Sequence, residues 1–207
     1  MGLQSFPVPG KLYFKQGCLP VALRELRDVY HVSRVLLVTD EEMLHGGRLS
    51  PVTHALYELG LTYAVNSKGF AYDCVVCCGS PDTWQYLPEG LCVIIPTAFS
   101  ATDVFPWLSA EMVILDEDVL TCVQKQDILK AAEQSLHGAN ASDYTLAWAV
   151  QAIRLVQNSG HPLHAAVLAG LARAAAEPLT DSVDLRPDAA EALCMTAEEL
   201  ELFLRQA

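Results

Sequence analysis

Residues 73–82 read DCVVCCGSPD. Five apolar residues in a row, Cys74 to Cys78, run straight into Gly79-Ser80-Pro81. A short unbroken apolar run that ends in a glycine turn is the pattern of a strand buried on both faces, as in a parallel sheet. Such a strand feeding a tight turn is also how many phosphate-binding loops begin. Glycine matters there because a Cβ keeps backbone N–H groups away from a phosphate. Cys77 and Cys78 stand where such a loop wants small residues, so the stretch reads as the remnant of a cradle.

Similar runs lie on either side. "RVLLVTD" (34–40) is a buried strand that ends in Thr39-Asp40. "LTYAVNS" (61–67) is a weaker one, and "LCVIIPT" (91–97) and "EMVILDE" (111–117) are strong. Near the start, "KLYFKQG" (11–17) alternates as an extended segment, and Gly17 precedes a helix over 19–30 with Leu19, Leu23, Leu26 and Val29 on one face. A second helix spans 51–59, with Ser50 as its cap, Pro51 in its first turn and Gly60 as its stop. Strands alternating with helices argue for a parallel sheet with helical crossovers.

From about 120 the period changes to that of helices. The segments 127–137, 142–160, 161–177 and 186–206 are rich in Ala and Leu, with Ser142 capping the second. The division expected is an α/β domain over 1–119 and a helical domain over 120–207. Buried strand residues Cys77, Cys78, Val93, Ile94, Ile95, Val113 and Ile114 form a core that needs no ligand. Glu111, Asp116, Glu117 and Asp118 read as solvated acid around the last strand.

Composition narrows the partners. The chain has 207 residues, 52% hydrophobic and 18% charged, which is enough to bury a real core. Thirteen basic against 25 acidic residues give a net charge of −12. That charge repels nucleic acid and anionic membranes. No apolar stretch is long enough to span a bilayer, the start "MGLQSFPVPG" lacks a secretory pattern, and it lacks the Ser or Thr of a myristoylation signal. The seven cysteines, odd in number and mostly in apolar runs, read as reduced core residues of a cytoplasmic protein. Cys74 and Cys77 form a C-x-x-C inside a strand pattern with no second pair at zinc spacing, so it reads as structural.

In order along the chain, several segments resemble the iron-containing (group III) alcohol dehydrogenases. These are the opening "PGKLYFKQGCLPVALRELRDVYHVSRVLLVTDEEM" (9–43), "CCGSPD" at the position of a GGGSP-type loop, and "IIPTAFSATD" (94–103). "VILDEDVL", "DILKAAEQSL", "DYTLAWAVQAIRLV" and "HAAVLAGLARAAA" follow in the family's order. The resemblance implies a dehydroquinate synthase-like fold, a reduced Rossmann-type sheet domain followed by an all-α domain. It implies a family chemistry in which a divalent metal, iron or zinc, polarises an alcohol oxygen while hydride passes to NAD or NADP. Carried onto this chain, it names Asp40, Gly79, Ser80 and Thr97 as cofactor-binding residues. Asp40 would meet the adenosine ribose.

The departures from the family are specific. Only "NSKGFA" stands between Val65 and Tyr72, where the family carries a longer loop and a helix. "DTWQYLPEG" stands after Pro81 in place of a long helix. A helix lost there takes its N-terminal dipole with it. Asp103 puts a fixed negative charge where the family has small polar residues. The family's metal is held by an Asp and a His four residues later, with two further His. Asp127 matches the Asp, but position 131 is Ala, and no histidine follows "LAGLARAAA". His161 and His164 read as the solvated end of a helix, His137 as a helix C-terminal residue.

Asp127 thus reads as the remnant of a metal site, with no cofactor expected. The expectation is an alcohol-dehydrogenase-like, non-catalytic protein. It would act by self-association through the N-terminal strand, where the family dimerises, or by binding a full-length homologue. The alternatives are an NAD(P)-dependent alcohol or aldehyde oxidoreductase with a rebuilt or subunit-completed site, and a nucleotide or small-molecule binding protein.

Overall fold

The computed structural model describes residues 9–84, 90–99, 106–120, 122–137, 142–158, 162–176 and 189–206. The chain divides into two compact units. One comprises Pro9–Phe99 with Ser109–Cys122; the other holds the chain from Val123 onward together with Trp107.

The first unit runs β1 (Lys11–Phe14), α1 (Leu19–Asp28), β2 (Arg34–Thr39), α2 (Glu41–His45), α3 (Ser50–Glu58), β3 (Thr62–Val65), β4 (Cys74–Gly79), α4 (Pro81–Trp84), β5 (Cys92–Pro96), β6 (Ala98–Phe99) and β7 (Met112–Leu115). Six of these strands form one sheet in the order β1-β7-β5-β4-β2-β3, parallel at every pairing. The inner strands are the unbroken apolar runs. Every residue of β4, β5 and β7 is buried, as two-sided coverage of a parallel sheet requires. Val35, Leu37, Val76, Cys78, Val93, Ile95, Met112 and Ile114 share a core with Leu23 and Leu26 of α1 and Val52 and Leu56 of α3. Each such aliphatic side chain contributes about 1.5–3 kcal/mol by leaving water.

Helix α1 shows how the sequence and its distant neighbours divide the work. Leu19, Ala22, Leu23 and Leu26 recur at helical spacing and form its buried face. Its N-cap residue, Cys18, makes no capping bond with its side chain. Asp116, just after β7, supplies the cap: its carboxylate accepts the N–H groups of Gly17 and Leu19 at 2.8 Å and that of Asp118 at 3.1 Å. This corrects the expectation that Asp116 is solvated, since it is 1% exposed. A buried carboxylate persists there because three N–H donors replace its water.

Two local expectations also change. The N-cap of α3 is Leu49, and Ser50 and Pro51 occupy its first turn. The Leu49 carbonyl accepts from Val52 and Thr53, so no side-chain cap is needed to start the helix. Of the segment 186–206, the described residues 189–206 form two helices, α8 (Ala189–Ala192) and α9 (Ala197–Gln206) in chain order, and not one. Cys194 breaks it at φ 55°, and Thr196 starts α9 with a capping box. Thr196 Oγ1 accepts the Glu199 N–H at 3.2 Å, and the Glu199 carboxylate accepts the Thr196 N–H at 2.7 Å.

In the second unit β8 (Cys122–Val123), which straddles the division, leads into three longer helices that pack on one another. These are α5 (Lys125–Leu136), α6 (Asp143–Asn158) and α7 (Pro162–Ala175). Ser142 caps α6, its Oγ accepting the Thr145 N–H at 3.2 Å. The buried face of α7 is Ala-rich, and Gly170 lies under the Trp107 ring. A Cβ at Gly170 would stand 2.2 Å from that ring, so no side chain fits. Among the described residues, no helix is long and apolar enough to cross a membrane.

Candidate functional site

Strand order locates the site. From β2 the chain steps outward to β3, then returns to β4 on the other side of β2. That reversal is a topological switch point, where open parallel sheets bind ligands outside the carboxyl ends of the strands. Asp40 leaves the end of β2 there, Gly79 ends β4 and Ser80 follows it. All four cofactor-binding candidates are brought together. Thr97 follows the end of β5, and its N–H donates to the Gly79 carbonyl at 3.1 Å.

The geometry at the switch point is closed upon itself. Asp40 Oδ1 accepts the Met43 N–H at 2.9 Å and so caps α2. Asp40 Oδ2 accepts the Ser80 N–H at 2.9 Å, the first amide of the glycine turn. A Cβ at Gly79 would lie 2.7 Å from Asp40 Oδ2 and 2.8 Å from Thr83 Oγ1. The glycine thus admits a close approach, and the approaching anion is the chain's own carboxylate. A phosphate seeking the Ser80 amide would meet that negative charge at hydrogen-bond range.

The rest of the turn fits this picture. Cys77 and Cys78 lie inside the β4 ladder, paired in register with Ile94 and Ile95. Both are buried, so the turn contains one glycine where the family's has several. Burial and the nearby Asp40 charge push the Cys78 thiol up to about 12. Burial pushes Cys74 to about 12 as well, while a hydrogen bond with Cys92 and burial raise Cys77. These thiols are poor nucleophiles and poor metal ligands at neutral pH. After the turn α4 begins at Pro81, and the Ser80 carbonyl accepts the Thr83 N–H at 2.9 Å.

Asn66 is a site residue that the residue pattern did not single out. It follows β3 in the left-handed region, at φ 47°, which Asn tolerates better than most residues. Its side chain accepts the Thr39 N–H at 3.0 Å and donates to the Thr39 carbonyl at 2.9 Å. Thr39 Oγ1 in turn donates to the Cys78 carbonyl at 2.6 Å. The ends of β3, β2 and β4 are thereby tied together. An Asn directly after a strand was the available signal.

Asp127 sits in the first turn of α5, in the helical unit. The residue one turn later, Ala131, is a buried methyl with no donor atom. Among the described residues, no group of three His, Cys, Asp or Glu side chains is placed to hold a metal ion. A transition metal needs three or four such donors. The described residues therefore fit neither the family's metal nor a pyrophosphate on the glycine turn. Asp103 and His161 lie outside the described residues.

No family model and no curated protein matches this chain. Solved structures do. A 1,3-propanediol oxidoreductase superposes with a TM-score of 0.63 at 20% identity, covering 84% of this chain and 65% of that one. An alcohol dehydrogenase from Oenococcus oeni gives 0.65 at 14% identity, covering 84% and 67%. An iron-containing alcohol dehydrogenase from Thermotoga maritima gives 0.63 at 14%, covering 84% and 69%. The chain spans about two thirds of the length of these structures and has the fold of the iron-containing alcohol dehydrogenases. The resemblance read from the sequence holds at the level of the fold.

Proposed function

We propose that this chain is a reduced, non-catalytic protein of the iron-containing alcohol dehydrogenase type that works through protein contacts. One observation carries this reading: Asp40 occupies the amide of Ser80 that a dinucleotide's phosphate would use. The replacement of the family's second metal ligand by buried Ala131 supports it independently. The contact surface we assign is β1, the edge strand of the six-stranded sheet beside β7. Edge strands are the places where sheets of two chains join through backbone hydrogen bonds. Its partner is a second copy of this chain or a longer homologue, in the cytoplasm.

Two measurements on the purified chain test the reading. Titration with NADH and NADPH, followed by cofactor fluorescence, is expected to show no saturable binding. Metal analysis is expected to find less than about a tenth of an equivalent of iron or zinc, too little for a resident Lewis acid. Saturable cofactor binding or stoichiometric metal overturns the reading in favour of a rebuilt oxidoreductase site. For the contact surface, Leu12→Pro in β1 is expected to convert an assembled species to monomer in sedimentation. An unchanged assembly would place the contact elsewhere.

A further inference from the structure

We infer that the outer face of β2 is a binding site for a small flat aromatic anion, separate from the glycine turn. Val35 and Leu37 face the core, and Leu36 and Val38 face the other way. A strand inside a parallel sheet normally has both faces covered by crossover helices. Here the chain passes from β3 to β4 through residues 66–73 with no helix, and Leu36 and Val38 remain half-buried. The crossing segment lays Phe70 and Tyr72 beside them, and the four side chains line a groove of about 340 Å³.

The size and chemistry of the groove select its occupant. Small-molecule pockets occupy about 300–1,000 Å³, so one ligand of modest size fits. Two turns of a partner helix, about 10 Å wide and 11 Å long, would need about 850 Å³ and do not fit. Apolar and aromatic side chains form the walls, which suits a flat ring. Among the lining residues Lys68 carries the only charge, and no acid lines the groove. Lys68 makes no ion pair among the described residues. Asn66, which also lines the groove, has its side chain committed to Thr39 on both sides. Lys68 is thus the group that selects a ligand's charge, and on a chain of net charge −12 it selects an anion locally.

The test compares two dyes of similar shape on the full chain: anilinonaphthalene sulfonate, an anion, and neutral phenylnaphthylamine, each titrated by fluorescence. Lys68→Gln is expected to weaken the anionic dye by about fivefold or more and to leave the neutral one within about twofold. Val38→Phe, which fills the groove, is expected to weaken both. Sedimentation runs alongside. The proposal is overturned if neither substitution changes binding of the anionic dye, or if Lys68→Gln weakens both dyes equally. It is also overturned if Val38→Phe dissociates an assembled species, which would make the groove a contact between copies. Lys68 is exposed, so its variant folds and the charge comparison stands without the core variant.

Discussion

Strands β4 and β2 are neighbours in one sheet, share five register pairs and read alike as apolar runs, yet they are buried differently. Every residue of β4 is buried. In β2 burial alternates, with Val35, Leu37 and Thr39 covered and Leu36 and Val38 half-open. Side-chain hydrophobicity alone does not produce the difference. What differs is whether something lies over each face, and the helix-free connection from β3 to β4 leaves one face of β2 uncovered. The two strands are fastened at both ends. Arg34 pairs with Asp73 at 3.0 Å where they begin, and Asp40 takes the Ser80 amide where they finish. A connection without a helix therefore keeps the sheet's order intact and leaves one surface open.

The sharpest way to break this contrast is within β2. Leu37→Ala is expected to cost about 2–5 kcal/mol of unfolding free energy, because the site cannot collapse around the lost atoms. Leu36→Ala, on the half-open face, should cost less than about 1.5 kcal/mol, since less apolar area returns to water. Urea denaturation measures both, and equal costs would mean that the two faces are equally sealed.

The next effect lies where the strands finish. Gly79→Ala should cost about 1–3 kcal/mol, because its Cβ meets Asp40 Oδ2 at 2.7 Å. A double-mutant cycle with Asp40→Ala should return a coupling of about 0.5 kcal/mol or more; a coupling of zero would remove the contact from the account. Asp40→Ala alone should cost about 1–2 kcal/mol, since the Met43 and Ser80 amides both lose their acceptor.

The smallest effect lies where the strands begin. The Arg34 guanidinium, with the Ser33 and Arg34 amides, holds the Asp73 carboxyl below the usual carboxylate range. A depressed folded pKa means the stabilisation is fully present above the unfolded value of about 3.9 and is lost as pH falls through the folded one. Asp73→Asn should therefore flatten the acid limb of a stability profile while changing little at neutral pH. An unchanged acid limb would show that this clip does not contribute.

Much of the architecture was legible in the residues because it is written in local periods. Unbroken apolar runs gave the inner strands, and helical spacing gave α1 and α5 to α7. The Thr196-x-x-Glu199 capping box that starts α9 was equally local, although the pattern 186–206 read as one helix. Asp40, Gly79 and Ser80 were named from family order. That Asp40 itself covers the turn was not legible, because it depends on two segments 40 residues apart meeting at neighbouring strand ends.

By itself, the order of amino acids determined which segments extend, which coil, and which side chains prefer the interior. Those preferences are settled between residues two to four positions apart. The tertiary structure alone decided that Asp116 caps a helix 97 residues earlier, that Trp107 requires a glycine at 170, and that the glycine turn's anion comes from within the chain. Such contacts follow from strand order and helix placement, and an unpaired buried polar group or a void is eliminated only once those are set.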